Sequence, residues 1–535
     1  MGVTAQDIGS DPGSRTGWYR SSGWWPDASL VDRFERLVRA APSAPAVTDD
    51  RGALTRAQLW AEAGRLAEQF GSHGIEAGDV VLECLPNWVS WHTVFLACLR
   101  LGAIPATLPV ATDADTLHYV CDLVGARAVV MPSRYRDRDT GDEAVAVARA
   151  SASAVLAVGM TQSGDQLWER IPAQRAPMNA HPDGLAHVMF TSSTTGKPKA
   201  VAHTENTLAA VNIGFADRFD IAERQPIFMP SPLGHSVGAW HGSRLALFTG
   251  APLVLQDGWD PDTALELINR HRCGFSAAAT PFLNDLMAAE PPPGEPKMRY
   301  LHTFLCGGAP VPPALLESAA EQAPNTFVSV LWGMTEGGVT TCLPGDDAER
   351  RTRTAGTGLP GLELRTLSPD DQLTEDDPGE LVMRGPGVFV GYLGQDDLYR
   401  ELLTADGFFR TGDLAELDGG YVRITGRIKD MIIRGGVNIS PLPLENQLAA
   451  HPEIDRVAVI GTPDPRLGER ICAVVVPAER SPSPDLPELL TWLRDRGLPR
   501  RLWPERLIVV DQMPQTPAGK VRKADLRQQV LQGTV

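Results

Sequence analysis

Hydrophobic and polar positions follow two alternating periods along most of the chain. TRAQLWAEAGRLAEQF, residues 55–70, places apolar side chains at helical spacing, and DVVLECL, residues 79–85, is a short apolar run typical of a buried strand. WHTVFLACLRLG at 91–102 and ARAVVMP at 126–132 repeat this succession. Alternating helices and strands predict α/β layering around mostly parallel sheets. Further strands are predicted within 251–256, 275–280 and 303–309.

The pattern changes near residue 430, where strand-like runs become more frequent. Four such runs and two helix-like runs occur there: DMIIRGGVNI (430–439), RVAVIGT (456–462), ICAVVVP (471–477) and RLIVVD (506–511), with LENQLAAH (444–451) and LPELLTWLRDRG (486–497) between them. This change predicts two domains. Residues 1–428 would form a large N-terminal α/β domain with several subdomains, and residues 429–535 a small C-terminal α/β domain.

Composition excludes several classes of function. The 535 residues are too many for one core, and 43% hydrophobic with 21% charged residues is typical of soluble globular proteins. The formal net charge of −17 argues against general binding to nucleic acid or anionic membranes. The most apolar run, residues 93–111, contains Arg100 and two prolines, so no membrane span is expected. The N-terminus has no signal-peptide pattern, and a cytoplasmic location is expected.

A dense run of hydroxyl side chains lies in VMFTSSTTGKPKAVAHT, residues 188–204. A Walker A loop needs Gly-x-x-x-x-Gly-Lys-[Ser/Thr], but Thr191 stands at the first Gly position and Pro198 at the hydroxyl position, which rejects a standard P-loop NTPase. Five consecutive hydroxyl residues before Gly196 and Lys197 still provide many donors for phosphate oxygens. The alternative is a polar surface turn.

This loop resembles the phosphate loop of the adenylate-forming superfamily, which includes acyl-CoA synthetases, luciferases and peptide-synthetase adenylation domains. Ser193 replaces a central Gly of that pattern, and Pro443 stands where Glu is commoner. The second departure leaves the path of the chain at the start of that helix without a prediction. Four further segments resemble the superfamily's motifs in their usual order: LWGMTEGG (331–338, with Trp332 where Tyr is commoner), GFFRTGDLAEL (407–417), GRIKDMIIRGGVNISPLPLEN (426–446) and PQTPAGKVRKADL (514–526).

The resemblance implies a reaction in two steps. A carboxylate attacks the α-phosphate of ATP to give acyl-adenylate and pyrophosphate, and a thiol then displaces AMP. It implies ATP, Mg²⁺ and coenzyme A as cofactors. It also implies that the small domain is mobile, with the hinge at Lys429 and with Gly435 and Gly436 allowing the thiol donor to approach closely.

The same resemblance implies roles for individual residues. Lys520 would bridge the carboxylate and the α-phosphate, where a charge pair at 4 Å is worth about 4 kcal/mol at an effective dielectric near 20. Glu336 would hold Mg²⁺, with Thr335 beside it on the α-phosphate. Asp413 would accept hydrogen bonds from the ribose hydroxyls, with a second ribose contact from Arg427. The residues expected to contact ATP are Thr191, Ser192, Ser193, Thr194, Thr195, Gly196, Lys197, Gly307, Gly308, Ala309, Trp332, Gly333, Met334, Thr335, Asp413, Arg427 and Lys520.

GHSVG, residues 234–238, matches the Gly-x-Ser-x-Gly nucleophile elbow of α/β-hydrolases. That elbow needs a strand running directly into the serine turn. Here Pro230 and Pro232 precede Ser236, and proline does not fit a central strand. The sequence therefore favours a packed or pocket-lining hydroxyl for Ser236 over a catalytic nucleophile.

In the superfamily this stretch forms part of the acid pocket, which places His235 near the substrate carboxylate. The residues expected to contact the acid are His235, Gly238, Ala239, Trp240, Gly307 and Gly337. The stretch offers no acidic side chain for an α-ammonium group, and small residues nearby leave volume for a bulky apolar acid. Residues 231–261 most resemble ligases for cyclohexanecarboxylate and related medium-chain, alicyclic or aryl acids.

The sequence therefore predicts an AMP-forming acid–thiol ligase that activates a bulky apolar carboxylic acid and transfers it to CoA. A stand-alone adenylating enzyme that loads the phosphopantetheine thiol of a carrier protein would share all these motifs, and nothing in the sequence separates the two. A scaffold without catalysis is disfavoured by intact Lys520, Glu336 and Asp413. The expected partners are a small carboxylic acid and CoA or, alternatively, a carrier protein, with no nucleic acid and no membrane span.

Overall fold

A computed structural model describes residues 15–151, 153–154, 156–161, 166–170, 184–191, 197–291, 296–309, 311–375, 377–478, 481–516 and 520–534. The strands are β1 (Pro45–Thr48), β2 (Ala53–Thr55), β3 (Val80–Glu83), β4 (Ile104–Thr107), β5 (Ala128–Pro132), β6 (Leu156–Met160), β7 (Gln166–Arg170), β8 (Leu185–Thr191), β9 (Lys199–Thr204), β10 (Ile227–Met229), β11 (Leu253–Leu255), β12 (Phe275–Ala279), β13 (Thr303–Gly307), β14 (Phe327–Met334), β15 (Gly337–Thr341), β16 (Thr357–Gly358), β17 (Glu363–Leu367), β18 (Leu373–Thr374), β19 (Gly379–Arg384), β20 (Gly391–Tyr392), β21 (Phe409–Asp418), β22 (Tyr421–Arg427), β23 (Ile432–Arg434), β24 (Val437–Ile439), β25 (Ile454–Asp464), β26 (Gly468–Pro477) and β27 (Arg506–Val509).

The α-helices are α1 (Arg15–Ser21), α2 (Leu30–Ala40), α3 (Arg56–Ser72), α4 (Val89–Leu101), α5 (Ala114–Leu123), α6 (Thr140–Ala150), α7 (Glu205–Phe219), α8 (Leu245–Thr249), α9 (Pro261–Arg270), α10 (Thr280–Ala288), α11 (Pro313–Gln322), α12 (Ala348–Arg353), α13 (Asp396–Glu401), α14 (Leu442–Leu448), α15 (Leu486–Asp495) and α16 (Lys523–Gln532). A π-helix spans Val237–Arg244, and 3₁₀ turns span Ile428–Asp430 and Arg500–Leu502.

The helices and strands expected from the hydrophobic pattern are present. Helix α3 starts with a capping box. The Thr55 side chain accepts a hydrogen bond from the Gln58 backbone N–H, and the Gln58 side chain accepts one from the Thr55 backbone N–H. Helix α4 ends at Gly102, whose positive φ of 77° suits glycine in that position. The expected strands at 79–85 and 126–132 form β3 and β5, which lie side by side in parallel.

Two large sheets form the N-terminal part of the molecule. Within the described residues the first has fourteen strands, ordered β18-β17-β19-β21-β22-β16-β15-β14-β13-β12-β10-β11-β1-β2, and the second has eight, ordered β20-β9-β8-β4-β3-β5-β6-β7. Strands from β1 through β11, β10, β12 and β13 to β14 pair in parallel, whereas β14 to β18 pair antiparallel. The expected parallel α/β layering is confirmed, with an antiparallel extension added to it.

One apolar core joins the two large sheets. It contains Val81 and Val130 from the second sheet, Phe275 and Leu305 from the first, and Phe95 from helix α4, all of them fully buried. Because burial of such side chains is worth roughly 1.5–3 kcal/mol each, this layer holds the two sheets at a constant spacing. The functional cleft described below lies at the edge of this layer.

The C-terminal part has its own sheet, ordered β24-β23-β26-β25 with β27 beside β26. Helices α14 and α15 cover one face, and α16 covers the other. Pro443 is the second residue of α14, a position where proline loses no helical hydrogen bond, so the helix start is undisturbed. Among the described residues, no helix is long and apolar enough to cross a membrane.

Candidate active site

A cleft of about 3770 Å³ opens between the large sheets and the small C-terminal sheet. The carboxyl ends of the parallel strands β10, β12 and β13 form one side of it, which is where ligands bind in α/β sheets. The residues from the small domain and its junction that line the cleft include Arg427, Lys429 and Lys520. The cleft is therefore built from parts of the chain more than 200 residues apart.

Most of the residues predicted to contact ATP line this one cleft. These are Thr191, Gly307, Gly308, Ala309, Trp332, Gly333, Met334, Thr335, Asp413, Arg427 and Lys520, and Glu336, predicted to hold Mg²⁺, lines it too. Lys197 lies outside the cleft wall and places its ammonium 5.1 Å from the ring centre of Tyr119. The predicted contacts Ser192, Ser193, Thr194, Thr195 and Gly196 fall outside the described residues.

Asp413 is held by two hydrogen bonds in the cleft wall. Strands β21 and β22 place Asp413 opposite Arg427, whose Nε lies 2.7 Å from Oδ1 of Asp413. The indole Nε1 of Trp332 donates to Oδ2 at 2.8 Å. Asp413 is 4% exposed, so these charge-assisted bonds are shielded from water and fix the carboxylate orientation. The indole at position 332 supplies this donor directly to the carboxylate.

Glu336 follows strand β14 and is buried at the same end of the cleft. The hydroxyl of Tyr392 donates to its Oε1 at 2.7 Å, and Nζ of Lys199 lies 3.2 Å from the same hydroxyl. Burial and the neighbouring carboxylate raise the pKa of Tyr392, which therefore stays a neutral donor. Oε2 of Glu336 accepts no hydrogen bond from the residues that the structure describes and can bind another partner. Sequence reasoning singled out Lys197 in this loop, whereas its neighbour Lys199 is the one that lines the cleft.

The backbone of Thr335 is supported by a histidine that the sequence motifs did not indicate. Nε2 of His203 lies 2.9 Å from the carbonyl oxygen of Thr335, and Nδ1 lies 3.0 Å from the hydroxyl of Thr207. Burial lowers the pKa of His203 to about 4, so the imidazole is neutral and donates through Nε2. The ring of Trp240 packs edge-on against it at 4.6 Å. No local sequence pattern marks this contact, because it joins β9 to the turn after β14.

Three cationic side chains converge on the cleft at the domain junction. Burial first, then Arg427 and Lys429, lower the pKa of Lys520 to about 7. Burial and Arg427 also lower the pKa of Lys429. Crowded positive charges repel one another and favour an anion between them. The arrangement is chemically suited to a phosphate or a carboxylate.

The glycines of GHSVG are explained by packing, and no nucleophile elbow is present. A Cβ on Gly234 would lie 2.3 Å from the backbone nitrogen of Pro109, and one on Gly238 would lie 2.3 Å from the carbonyl oxygen of Pro232. Strand β10 ends at Met229, so a loop separates it from Ser236, which leads into the π-helix instead of sitting on a strand-to-helix turn. Ser236 is half-buried and lines the cleft, which agrees with the interpretation of a packed or pocket-lining hydroxyl.

Only part of the predicted acid-binding set faces the cleft. His235 and Gly307 line it, whereas Gly238, Ala239, Trp240 and Gly337 are buried behind the wall. Trp240 donates from Nε1 to Nδ1 of His187 at 2.9 Å, and a Cβ on Gly337 would lie 2.4 Å from the carbonyl oxygen of Gly387. The cleft-facing positions of the π-helix are Val237 and His241, which sequence reasoning missed.

The predicted hinge and thiol-access residues lie at the junction and beyond it. Lys429 is the middle residue of the 3₁₀ turn that joins β22 to the small domain, and it lines the cleft. Gly435 and Gly436 form the turn between β23 and β24, with φ of +59° and +80°. Both are exposed and lie outside the cleft wall in this arrangement.

Comparisons with known proteins point to the same family that the sequence motifs resemble. A family model described as AMP-binding enzyme matches residues 34–393, and one described as AMP-binding enzyme C-terminal domain matches residues 443–520. The medium-chain fatty-acid–CoA ligase of Escherichia coli (strain K12) is 33% identical over 528 residues, covering 96% of this chain and 92% of that protein. A feruloyl-CoA synthase of Amycolatopsis sp is 32% identical over 502 residues, covering 92% of this chain and 97% of that protein.

Solved structures show the same architecture. The ATP-bound MatB of Rhodopseudomonas palustris superposes with a TM-score of 0.81 at 26% identity, covering 94% of this chain and 99% of that chain. The amide bond synthetase McbA of Marinactinospora thermotolerans superposes with a TM-score of 0.80 at 26% identity, covering 93% of this chain and 99% of that chain. The large N-terminal and small C-terminal α/β parts are therefore shared with these proteins.

Proposed function

This chain belongs to the AMP-binding enzyme family, and from that premise we propose that it activates a bulky apolar carboxylic acid as its acyl-adenylate and passes the acyl group to CoA. It is an AMP-forming acid–thiol ligase of the adenylate-forming superfamily, and acyl-CoA ligases of this family use ATP and CoA. We further propose that the enzyme uses Mg²⁺, that residues 1–428 and 429–535 form its two domains, and that the residues named below bind the substrates and catalyse the reaction.

The observation that carries this proposal is the convergence of Asp413, Glu336 and Lys520 on one cleft. Asp413, oriented by Trp332 and Arg427, accepts hydrogen bonds from the ribose hydroxyls. At Gly308 a Cβ would meet nothing within 4 Å, so this position offers an open face for the adenine. Together they support binding of the α-phosphate of ATP beside the cationic cluster at the domain junction.

The first half-reaction brings two anions together, so charge must be neutralised. Protonated Lys520 contacts both the acid carboxylate and the α-phosphate oxygens and stabilises the negative charge that grows on phosphate in the transition state. Mg²⁺, when bound, neutralises phosphate charge. Glu336 fits it, because Tyr392 engages only one of its oxygens, and oxygen is the ligand Mg²⁺ prefers.

The second half-reaction needs a different face of the small domain. The thiol sulfur attacks the acyl carbon and AMP leaves with the bonding electrons. Because Gly435 and Gly436 lie outside the cleft wall in this arrangement, a rotation about Lys429 would bring their turn to it. Val237, Phe282 and Leu331 line the same cleft as His235, which supports a bulky apolar acid as the substrate. The names of the medium-chain and feruloyl relatives support acids of this kind.

The test is acid-dependent release of pyrophosphate from ATP and Mg²⁺, with alicyclic, aryl, fatty and amino acids, each with and without CoA. We expect release with apolar acids and a CoA thioester as product. Lys520→Ala should reduce adenylation by roughly 10²–10³, while Lys297→Ala, which removes a lysine outside the cleft, should leave it unchanged. Adenylate formation without CoA transfer would point to a carrier protein. Adenylation by Lys520→Ala within a few-fold of wild type would refute the role of Lys520.

A further inference from the structure

One imidazole on the cleft wall makes no hydrogen bond to any of the described residues. His241 lies on the π-helix, is 5% exposed and lines the cleft together with Val237, one helical turn before it. Its Nδ1 is buried without a hydrogen-bond partner among the described residues. Burying a polar group without a partner is unfavourable, so such a group in the wall of a substrate cleft calls for an explanation.

The ring of His241 is held in place by packing. It stacks on Phe215 with centres 4.6 Å apart and planes at 29°, and Phe215 meets Phe275 edge-on at 6.2 Å. Phe215 and Phe275 are fully buried. Hydrophobic packing therefore fixes the imidazole plane, and the part of the chain that the structure describes makes no hydrogen bond to Nδ1.

The charge state of the ring limits what it can bind. Burial lowers the pKa of His241 to about 4, so the imidazole is neutral near pH 7. A neutral imidazole carries one donor and one acceptor nitrogen. It suits a hydroxyl group, which can both donate and accept, whereas a second carboxylate in this apolar wall would lack the cation that a buried anion requires.

The position of His241 separates it from the reacting end of the acid. His235, expected beside the substrate carboxylate, lies six residues earlier, more than one helical turn away. Apolar side chains line the same cleft, among them Val237 and Leu331. A ligand that spans from one histidine to the other would have an apolar body with a polar group remote from its carboxylate.

We propose that His241 forms a polar subsite that recognises a single hydroxyl group on the substrate acid, remote from the carboxylate. The inference rests on the proposed acid-activating function and narrows its substrate class to hydroxylated aryl, alicyclic or medium-chain acids. A site built to hydrogen-bond a substrate hydroxyl discriminates strongly against the analogue that lacks it, because the polar group in the protein is then left unpaired.

The test compares matched acid pairs with the full-length enzyme. The pairs are 4-hydroxyphenylpropenoate with phenylpropenoate, 4-hydroxycyclohexanecarboxylate with cyclohexanecarboxylate, and 8-hydroxyoctanoate with octanoate. The kcat/KM for pyrophosphate release is measured for wild type, His241→Leu and the control His302→Leu, which alters an exposed histidine outside the cleft. Wild type and His302→Leu should prefer the hydroxylated member of at least one pair by roughly tenfold or more. His241→Leu should lose that preference while it still activates the unsubstituted acid.

Calorimetric binding of the same pairs gives a second measurement that does not depend on turnover. In this binding measurement too, wild type should prefer the hydroxylated acid, and His241→Leu should lose that preference. Equal affinity of wild type for both members of every pair, or a preference that survives in His241→Leu, would overturn the subsite. Absence of pyrophosphate release with every acid would instead overturn the proposed function, and the binding preference would still decide the role of His241.

Discussion

At the scale of single residues, a few buried hydrogen bonds orient the charged side chains of the cleft. Each oxygen of Asp413 accepts a hydrogen bond from the protein, one from Arg427 and one from Trp332. These two bonds fix the orientation of the carboxylate, which lines the cleft. A phenolic side chain would have a different length and hydrogen-bond direction, so the indole at 332 is part of how this chain positions its carboxylate.

Replacing Trp332 by Phe should weaken ATP binding by roughly tenfold or more, because a hydrogen bond to a charged group is worth about 1.5–3 kcal/mol. The loss should be smaller for 3′-deoxy-ATP, which lacks one of the hydroxyls that Asp413 would bind. Isothermal titration with both nucleotides measures this. Trp492→Phe is the matched control, since its indole donates to the Gln447 carbonyl in the small domain. An equal loss for both nucleotides would contradict the positioning role.

The charge of Lys520 predicts the pH dependence of the first step. Its pKa is about 7, lowered by burial and by Arg427 and Lys429, and its proposed role requires the protonated form. For the free enzyme, kcat/KM for ATP should therefore be full below pH 7 and should fall as the pH rises through about 7. Lys520→Arg keeps its charge, so its residual activity should stay level across that range. If kcat/KM for ATP fell through pH 7 in Lys520→Arg as it does in wild type, a group other than Lys520 would be responsible for the pH dependence.

At the scale of elements, the junction between the two parts is short. A single 3₁₀ turn, Ile428–Asp430, connects β22 to the small sheet. Dihedral changes in so few residues can swing a whole domain. The turn between β23 and β24 uses two glycines with positive φ, which keeps its backbone free of side chains. These two features match the proposed change of face between half-reactions.

Lys429→Pro should slow thioester formation by roughly tenfold or more while adenylation is less affected, because proline restricts φ at the hinge. Lys429→Ala separates the loss of the side chain from the loss of backbone freedom and should impair thioester formation less. Single-turnover assays of pyrophosphate release and of acyl transfer from preformed adenylate distinguish the steps. Equal loss in both steps for Lys429→Pro would count against the hinge.

At the scale of the whole molecule, the apolar cores divide at the junction. Among the described residues, no apolar cluster contains side chains from both sides of residue 428. The contact between the parts is made instead by groups around the cleft, such as Lys520 facing Arg427. A polar contact of this kind can open without exposing a core, which is what a movable domain requires.

Leu489→Ala should destabilise the small domain alone by about 2–5 kcal/mol, because Leu489 is fully buried in that domain's core. Leu305→Ala, in the core between the large sheets, should act on the large domain instead. Hydrogen exchange read by mass spectrometry should show faster exchange confined to residues 429–535 in the first variant. Faster exchange throughout the chain in both variants would argue against two independent units.

Much of the fold and part of the site could be predicted from local sequence. Helices and strands such as α3, β3 and β5 follow from periodicity, because their apolar spacing is set within one segment. Asp413, Glu336 and Lys520 were singled out by motif, and all three line the cleft. Lys199 and His203 were not, because their contacts to Tyr392 and Thr335 join segments more than 100 residues apart.

The sequence by itself determined the class of chemistry, because the motifs carry the donors and acceptors for ATP in a diagnostic order. Only the tertiary structure decided which side chains face the cleft. The π-helix turns Val237 and His241 toward the cleft and Trp240 away, a choice that depends on how the helix packs on β12 and α7. Likewise the lowered pKa of Lys520 depends on burial and on charges from the domain junction, which local sequence does not specify.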